Sequence, residues 1–338
     1  MNPPLVFQKK VKMERVASID IGTNTILLLI ARVDEGEVKP LFEMETIVRL
    51  GEGVQSNGAL AEEAMKRGLH TLTQYIGRCR EMGVQRIFAV GTSALREAQN
   101  SKDFLSMIKG KLNLDIEIIS GEEEAQLSFL SVTRDLKEIN PSTFPGLKPG
   151  VWRRRSIKKP ILVVDVGGGS TEFILGKGDT ITQWVSLPLG SVRFAEQFLI
   201  SDPVQGEEWE KMERAIRKML PEIPHAGESF SMVALGGTAT TLASVAQGLE
   251  EFMTEKIHHF VLQKEALKDQ LMLYRSKTLN ERKRIPGLPS ARADVILAGG
   301  AILYMAMEEL GCPSTLISCH GVRYGVLYKR LNGGNGLS

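Results

Sequence analysis

The sequence predicts an α/β protein with two domains related by an internal duplication, and three observations support this. Strand-like apolar segments alternate with helix-like segments along the chain, which is typical of α/β folds rather than segregated α+β folds. The length of 338 residues suggests two domains of about 100 to 200 residues each. An apolar strand followed by Asp, Ile or Val, and Gly occurs twice, with its aspartates at Asp20 and Asp165. The copies lie about one domain apart, so duplication is the simplest explanation.

Composition excludes several classes of protein. Hydrophobic residues make up 43% and charged residues 24% of the chain, with a formal net charge of +2, which is ordinary for a soluble globular protein. The longest apolar stretch, 295–307, is shorter than the roughly 20 residues that span a bilayer, so we expect a buried helix and no membrane partner. The N-terminus lacks a cationic segment followed by a long apolar core, and we expect a cytoplasmic protein.

The first half opens as a β-meander. Strands are predicted at 15–19, 26–33 and 38–44, with the polar turn 20–25 between the first two. The elements expected next are a helix at 61–82, a strand at 86–90, a helix from Ser93, a strand at 116–119 and a helix at 121–139. We place the first domain at 12–139, with the C-terminal helix at 322–333 as a candidate to complete it.

A basic, proline-rich segment at 140–160 separates the halves, and we expect a linker or loop there because prolines cannot continue a helix or a central strand. Its Lys and Arg side chains, without any acidic residue, would attract a polyanion if the segment lies beside the cleft. The alternative is a solvated loop. Nucleic acid is a weakly supported partner because the segment offers little aromatic surface for stacking beyond Trp152.

The second half repeats the opening pattern and is placed at 161–321. Its predicted strands are 161–164, 171–175, 180–187, 231–235 and 315–318, and its predicted helices are 207–220, 264–274 and 291–310, followed by a final helix from about residue 322. The first two strands enclose a Gly-rich turn, as in the first half. A Gly-Gly-Thr sequence at 236–238 follows a further strand, which adds a third turn of the same character.

The glycine turns are predicted to bind phosphate. A backbone amide approaches a phosphate oxygen only where no Cβ intervenes, and neighbouring hydroxyls add donors. Asp20 and Asp165 would repel phosphate directly, so we expect a divalent cation or an ordered water between them. One copy alone would be explained as an ordinary Asp-x-Gly hairpin, but two copies favour a cleft with facing turns. The predicted phosphate-binding residues are Gly22, Thr23, Asn24, Thr25, Gly167, Gly168, Gly169, Ser170, Thr171, Gly237 and Thr238.

These motifs resemble those of the actin, Hsp70 and sugar kinase superfamily. The resemblance implies two actin-like (ribonuclease H-like) domains with an active-site cleft between them. Within that superfamily the sequence is similar to the exopolyphosphatase and guanosine pentaphosphate phosphohydrolase family, from about residue 16 to residue 327. The matching segments are DIGTNT (20–25), RLGEGV (49–54), GTSALREA (91–98), ISGEEEA (119–125), DVGGGSTE (165–172), Gly-Thr (237–238), PGL (286–288) and R-x-G (323–325).

The resemblance implies hydrolysis of a terminal phosphoanhydride. The expected substrates are inorganic polyphosphate, the 5′ γ-phosphate of guanosine pentaphosphate (pppGpp, the stringent-response alarmone), or both. Glu124 matches the family's general base, and Asp165 and Glu172 match positions that serve the metal and the attacking water. We add Asp20 as a metal ligand and expect Mg²⁺ or another divalent cation as cofactor. The local alternatives are a dipole complement for Glu124 and a solvated strand residue for Glu172.

Arg96 is unusual on local grounds, because a helix beginning near Ala94 places this arginine in its first turn, where the dipole disfavours a cation. A phosphoryl-binding role would explain it, since a guanidinium grips two phosphate oxygens. The alternative is an exposed arginine paired with Glu97 or Glu62. In the next helix, Ser120 and Glu123 are predicted to form a reciprocal capping box.

The cysteines form no CxxC pair and the five histidines no HxxxH pair, so no metal site of that kind is predicted. Cys319 and His320 stand where the family more often has an acidic and a small residue, and we interpret both as structural. Two other functions stay open: an ATP-dependent small-molecule kinase of the same superfamily, and a non-catalytic sensor of polyphosphate or alarmone. A homodimer that extends the binding groove is a further expectation.

Overall fold

The computed structural model describes residues 14–34, 37–138, 159–227 and 229–332. The basic segment predicted at 140–160 lies outside the described residues except for its last two positions, Lys159 and Pro160. The described chain forms two sheets with flanking helices, which confirms the predicted α/β class.

The first sheet has five strands. They are β1 (Glu14–Ile21), β2 (Thr25–Asp34), β3 (Glu37–Ile47), β4 (Arg86–Gly91) and β5 (Ile116–Ile118). The order across the sheet is β3-β2-β1-β4-β5, with the first three antiparallel and the last two parallel to β1. β1 is buried along most of its length because it is the central strand, and its near-continuous apolar sequence suits that position.

Four helices belong to this part of the chain: α1 (Val54–Asn57), α2 (Glu62–Glu81), α3 (Ser93–Glu97) and α4 (Ser101–Leu112). A helix begins at Ser93, as expected, but it ends after Glu97, because the chain extends at Ala98 and begins a new helix at Ser101. Asn100 explains the break, since its side-chain amide exchanges two hydrogen bonds with the backbone of Leu60. Such side-chain bonds compete with helix continuation.

The second sheet has six strands. They are β6 (Ile161–Val166), β7 (Thr171–Lys177), β8 (Thr180–Leu187), β9 (Ser231–Leu235), β10 (Val261–Gln263) and β11 (Ser314–Ile317), in the order β10-β11-β9-β6-β7-β8. Three antiparallel strands are again followed by two parallel ones, and β10 adds an antiparallel edge. The shared topology of the two sheets confirms the duplication that the repeated motif predicts.

The remaining helices are α5 (Gly121–Glu138), α6 (Ser191–Phe198), α7 (Gly206–Met219), α8 (Gly236–Ala246), α9 (Thr254–Ile257), α10 (Lys264–Arg275), α11 (Leu279–Arg282), α12 (Ile296–Glu309) and α13 (Val322–Asn332), with 3₁₀ turns at Leu220–Glu222 and Ser290–Arg292. The apolar stretch at 295–307 is the buried helix that was expected. That helix begins at Ile296 rather than at residue 291, and α6 and β10 were not predicted from sequence.

Two helices are exchanged between the halves of the chain. Apolar residues of α5, among them Phe129 and Val132, pack on the second sheet. The C-terminal helix α13 instead packs on the first sheet, where Tyr324 and Leu327 contact Val16 of β1. The two helices also pack on one another through Leu127 and Val326. Each sheet is therefore covered partly by a helix from the other half of the sequence.

In the part of the chain that the structure describes, no helix combines the length and the apolar character needed to cross a bilayer.

Candidate functional site

The two glycine turns face each other across a cleft between the sheets. A cavity of about 100 Å³ lies at this place, lined by residues of both turns and by the first residues of α8. A methyl group on Gly168 would lie 3.0 Å from the Thr23 Cβ, and one on Gly169 would lie 2.4 Å from the Ser93 hydroxyl. Only glycine permits this close approach of the two halves.

Most of the residues predicted from sequence meet in this cleft. The cavity is lined by Asp20, Gly22, Thr23, Asn24, Thr25, Glu124, Asp165, Gly167, Gly168, Gly169, Ser170, Gly237 and Thr238. Three predicted residues are not among its lining. Glu172 is buried behind Ser170, and Arg96 reaches the site through Glu124. Thr171 is fully buried and its hydroxyl donates to the Leu189 carbonyl, so its position does not support a phosphate contact.

Two carboxylates stand opposite one another on the second hairpin. Asp165 and Glu172 are directly paired residues of β6 and β7. The Ser128 hydroxyl donates to Asp165 Oδ2 at 2.9 Å. Ser170 and Ser186 donate to Glu172 Oε1 at 2.8 and 2.7 Å. Three serine hydroxyls therefore fix the two carboxylates, which argues against the solvated-strand alternative for Glu172.

Arg96 and Glu124 form an ion pair at the edge of the cleft. Arg96 Nη1 donates to Glu124 Oε2 at 2.6 Å and to the Ile119 carbonyl at 3.0 Å. The exposed pairing with Glu97 or Glu62 is therefore wrong. The dipole argument also fails, because α3 has five residues and Arg96 lies in its last turn.

The capping box at the start of α5 is half formed. The amide of Glu123 donates to the Ser120 hydroxyl at 3.1 Å. The Glu123 carboxylate instead accepts from Lys329 Nζ at 2.7 Å. Glu123 thus points to the surface of the α5 and α13 pair, while Glu124 is buried at the cleft.

Burial raises the pKa of every carboxylate in the cleft. The pKa of Asp20 rises to about 8, by desolvation first and then by the nearby charges of Glu124 and Asp165. Desolvation raises the pKa of Glu124 to about 7, although the Arg96 guanidinium lowers it. The pKa values of Asp165 and Glu172 are raised for the same main reason. Four mutually repelling carboxylates call for a compensating positive charge.

The donor set fits a divalent cation. Carboxylate oxygens are the ligands that Mg²⁺ prefers in proteins. Asp20 Oδ1 is buried and has no hydrogen-bond partner among the described residues, which leaves an oxygen of the required kind unsatisfied. The side-chain oxygen and nitrogen of Asn24 are also buried without a hydrogen-bond partner among the described residues, and Asn24 lines the cavity.

A larger cavity of about 770 Å³ adjoins the first and shares Asp20, Asp165 and Arg292 with it. Arg292 was not singled out from sequence. Its guanidinium pairs with Glu45, lies near Thr25, and occupies the space that a Cβ on Gly237 would need. The PGL sequence at 286–288 was the available signal, because the turn at Gly287 leads into the 3₁₀ helix that carries Arg292.

Three histidines meet where the sequence showed no metal-type pairing. His258 and His259 bond to Asp135 through Nε2 at 3.2 and 2.8 Å, and His320 lies 3.6 Å from the same carboxylate. Sequence spacing missed the cluster because its members come from three separate elements. His320 Nδ1 makes no hydrogen bond among the described residues, but its ring stacks on His258 and Tyr324, which supports the structural interpretation of His320.

The fold and cleft define a two-domain α/β protein whose glycine turns and carboxylates meet at one interdomain site. The sequence matches the profile of the Ppx/GppA phosphatase family over residues 29–142 and 149–333. The chain belongs to that family.

Individual relatives agree with this assignment. The chain is 34% identical over 313 residues to the bifunctional 3-dehydroquinate synthase/phosphatase of Fusobacterium nucleatum, covering 89% of this chain and 44% of that protein. It therefore spans less than half the length of that relative. It is also 32% identical over 331 residues to exopolyphosphatase 2 of Mycobacterium tuberculosis, covering 93% of this chain and 98% of that protein.

Solved structures confirm the fold. The crystal structure of the Aquifex aeolicus member of the Ppx/GppA family superposes with a TM-score of 0.76 at 31% identity, covering 96% of this chain and 100% of the other. An exopolyphosphatase from Cytophaga hutchinsonii gives a TM-score of 0.79 at 27% identity, covering 95% and 98%.

Proposed function

We propose that this protein is a phosphoanhydride hydrolase that releases the terminal phosphate of inorganic polyphosphate. The ion pair between Arg96 and Glu124, at the edge of a cavity built from two glycine turns, is the observation that carries the proposal. In this proposal it brings a phosphate-binding cation and a base to the same end of the cleft. Two relatives are named exopolyphosphatases, which supports this substrate.

Glu124 would act as the general base. Its raised pKa, about 7, suits proton abstraction near neutral pH, because a base works best when its pKa is close to the working pH. The buried carboxylate would orient a water molecule toward the terminal phosphorus and take its proton.

Arg96 would hold the terminal phosphoryl group. Both hydrogen bonds that the Arg96 side chain makes to described residues come from Nη1. Its other guanidinium N–H groups therefore stay available for phosphoryl oxygens. A guanidinium at this place offsets the charge that develops on those oxygens during transfer. The backbone amides of the glycine turns would bind the same group from the opposite side.

Asp20, Asp165 and Glu172 would hold a divalent cation, and Mg²⁺ is the expected one. A bound cation supplies charge neutralisation and polarisation of phosphoryl oxygens. The unsatisfied Oδ1 of Asp20 and the raised pKa values of all three carboxylates support this proposal. Ser128, Ser170 and Ser186 would keep the carboxylates of the second hairpin in place.

Guanosine pentaphosphate is a second candidate substrate, and the larger cavity favours it. The 770 Å³ space is lined by Met44, Ile47 and Phe252 beside the cleft, and Phe252 is 55% exposed. Such a surface suits a nucleoside better than a bare polyanion, because aromatic and apolar side chains stack on bases.

The test measures phosphate release with Mg²⁺ from long polyphosphate, short polyphosphate and guanosine pentaphosphate in parallel. We expect release by the native chain and a loss of about 100-fold or more in Glu124→Gln, with substrate binding largely retained. Glu123→Gln is the matched control, since it changes the neighbouring carboxylate that pairs with Lys329. Tight binding without any release would favour the sensor. Consumption of ATP only when an acceptor is added, with the phosphoryl group passing to the acceptor, would favour the kinase.

A further inference from the structure

A buried polar stripe runs along one face of α5. Its members are four, three and four residues apart, a spacing that places side chains on one face of a helix. All are at least nine-tenths buried: Glu124, Ser128, Ser131 and Asp135. The stripe lies beside the apolar row through which α5 packs on the second sheet, formed by Ala125, Phe129, Val132 and Leu136.

The other three members of the stripe, Ser128, Ser131 and Asp135, are each hydrogen-bonded to a residue of the second half of the chain. The Ser128 hydroxyl donates to the cleft carboxylate of Asp165. The Ser131 hydroxyl donates to the His320 carbonyl at 2.9 Å. Asp135 accepts hydrogen bonds from His258 and His259. The stripe therefore joins the proposed base at one end of α5 to a histidine cluster at the other.

The histidine cluster acts as a clamp for the Asp135 carboxylate. The Cys319 amide donates to His258 Nδ1 at 3.0 Å, so the proton of the neutral ring is on Nε2, facing Asp135. Burial would raise the pKa of Asp135, but the histidine hydrogen bonds outweigh it and hold the pKa well below its usual value. Asp135 is therefore ionised at neutral pH.

The hydrogen bonding of the cluster favours its role as a carboxylate partner. Asp135, His258 and His320 each bring one possible metal-ligand atom to within 4.8 Å of the others. His258 and His320 are stacked, with centroids 4.4 Å apart and planes at 30°, and His320 stacks on Tyr324. A metal-bound histidine also donates through its second ring nitrogen, whereas Nδ1 of His258 accepts.

We propose that Asp135 is a positioning residue for hydrolysis, which sets the rotation of α5 and so the place of Glu124 opposite Asp165. Asp135 lies eleven positions after Glu124 along α5, a rise of about 16 Å. Burial of the apolar row is non-directional, while directional hydrogen bonds along the stripe fix one rotation. This inference rests on the proposed function, because Glu124 is taken as the base.

The main test variant is Asp135→Asn. An amide offers one acceptor oxygen, so one histidine N–H loses its partner and meets the amide NH₂ instead. We expect kcat for phosphate release to fall about 10- to 100-fold, since displacement of a reacting group by about 1 Å has effects of that size. KM should change by less than about 2-fold, because the glycine turns are not part of α5.

Ser131→Ala provides a second variant in case Asp135→Asn does not fold. It removes the hydroxyl that donates to the His320 carbonyl and, within α5, to the Ser128 carbonyl, and it leaves the Asp135 clamp intact, so we expect a smaller fall in kcat, again with KM retained. The controls are Asp179→Asn, which removes an exposed ion pair to Lys137 near the same end of α5, and Thr133→Val, whose hydroxyl bonds within the helix to Leu130. Both controls should keep the native kcat.

A folded Asp135→Asn protein with native kcat would overturn the inference. So would a parallel change of kcat and KM in all four variants, which would indicate a general loss of stability.

Failure of the proposed function is recognised separately, since the native chain would then release no phosphate. Hydrogen exchange of the amides at 122–125 then tests the positioning alone: faster exchange in Asp135→Asn than in Thr133→Val supports it, and equal exchange rejects it.

Discussion

Glu172 pairs directly with Asp165 across the β6–β7 hairpin, and both carboxylates are held by serine hydroxyls. In the equivalent hairpin of the first half, Asp20 pairs with Leu27. The duplicated hairpins therefore share the aspartate but differ at its partner. The second hairpin therefore carries two paired carboxylates, while the first carries one.

Replacing Glu172 by Gln tests whether the negative charge of this side chain is needed, apart from its size and hydrogen bonds. The amide keeps the size of the side chain and can still accept from Ser170 and Ser186, but it cannot neutralise a cation. We expect the rate of phosphate release to fall about 100- to 10,000-fold. The Mg²⁺ concentration that gives half of the maximal rate should rise. The measurement is a Mg²⁺ titration of phosphate release. Glu265→Gln, an exposed change on α10, is the control, and an unchanged Mg²⁺ requirement in Glu172→Gln would reject the assignment.

Removing the Arg96 side chain should shift the pH dependence of catalysis upward. The guanidinium lowers the pKa of Glu124 against the effect of burial, so Arg96→Ala raises that pKa and protonates the base at neutral pH. We expect a loss of about 1,000-fold or more at pH 7, partly recovered at higher pH. The measurement is the pH profile of kcat/KM at saturating Mg²⁺.

Arg96→Lys is the matched control for that experiment, since it keeps the positive charge and loses only the planar donor set. Its profile should move less than that of the alanine variant. Identical profiles for the native protein and Arg96→Ala would show that the ion pair does not tune Glu124.

Without divalent cations, stability should decrease as the pH rises. Asp20 and Glu124 have pKa values of about 8 and 7 in the folded protein, above the values of about 4 expected when unfolded. The folded state then binds more protons than the unfolded state between about pH 4 and pH 8, so the free energy of unfolding falls with rising pH. Mg²⁺ should therefore raise the melting temperature more at pH 8.5 than at pH 5.5.

Thermal unfolding at both pH values, with EDTA or with Mg²⁺, checks this expectation. The double variant Asp165→Asn with Glu172→Gln should lose most of the Mg²⁺ effect. An equal Mg²⁺ effect at both pH values would contradict binding by the cleft carboxylates.

Closure of the cleft should depend on Gly169. A methyl group there would lie 2.4 Å from the Ser93 hydroxyl and 3.0 Å from Thr23 Oγ1, so Gly169→Ala would force the two halves apart. Overpacking of this kind costs about 1–3 kcal/mol, which corresponds to a rise in KM of about 5- to 150-fold. Steady-state kinetics with polyphosphate measures it. Gly110→Ala on α4, where nothing lies within 4 Å of the added methyl group, should leave KM unchanged.

Local patterns predicted much of this fold. The repeated Asp-x-Gly turn at 20–25 and 165–170 was sufficient to predict both β-meanders and the duplication, because turn chemistry and strand alternation act over a few residues. The early end of α3 was not predictable, since Asn100 bonds to a backbone 40 residues away. Arg292 and the partners of Asp135 were missed for the same reason, as both depend on contacts between distant parts of the chain.

The exchange of α5 and α13 makes the two halves of the chain depend on each other for folding. A fragment that ends after the first half would leave β1 without the cover of Tyr324 and Leu327. A fragment of the second half would leave Val163 and Ile174 without the cover of α5. Each sheet packs one face within its own half, while its other face depends on the exchanged helix. We therefore expect the stability of each half to depend on the other, so that the halves are poor candidates for separate expression.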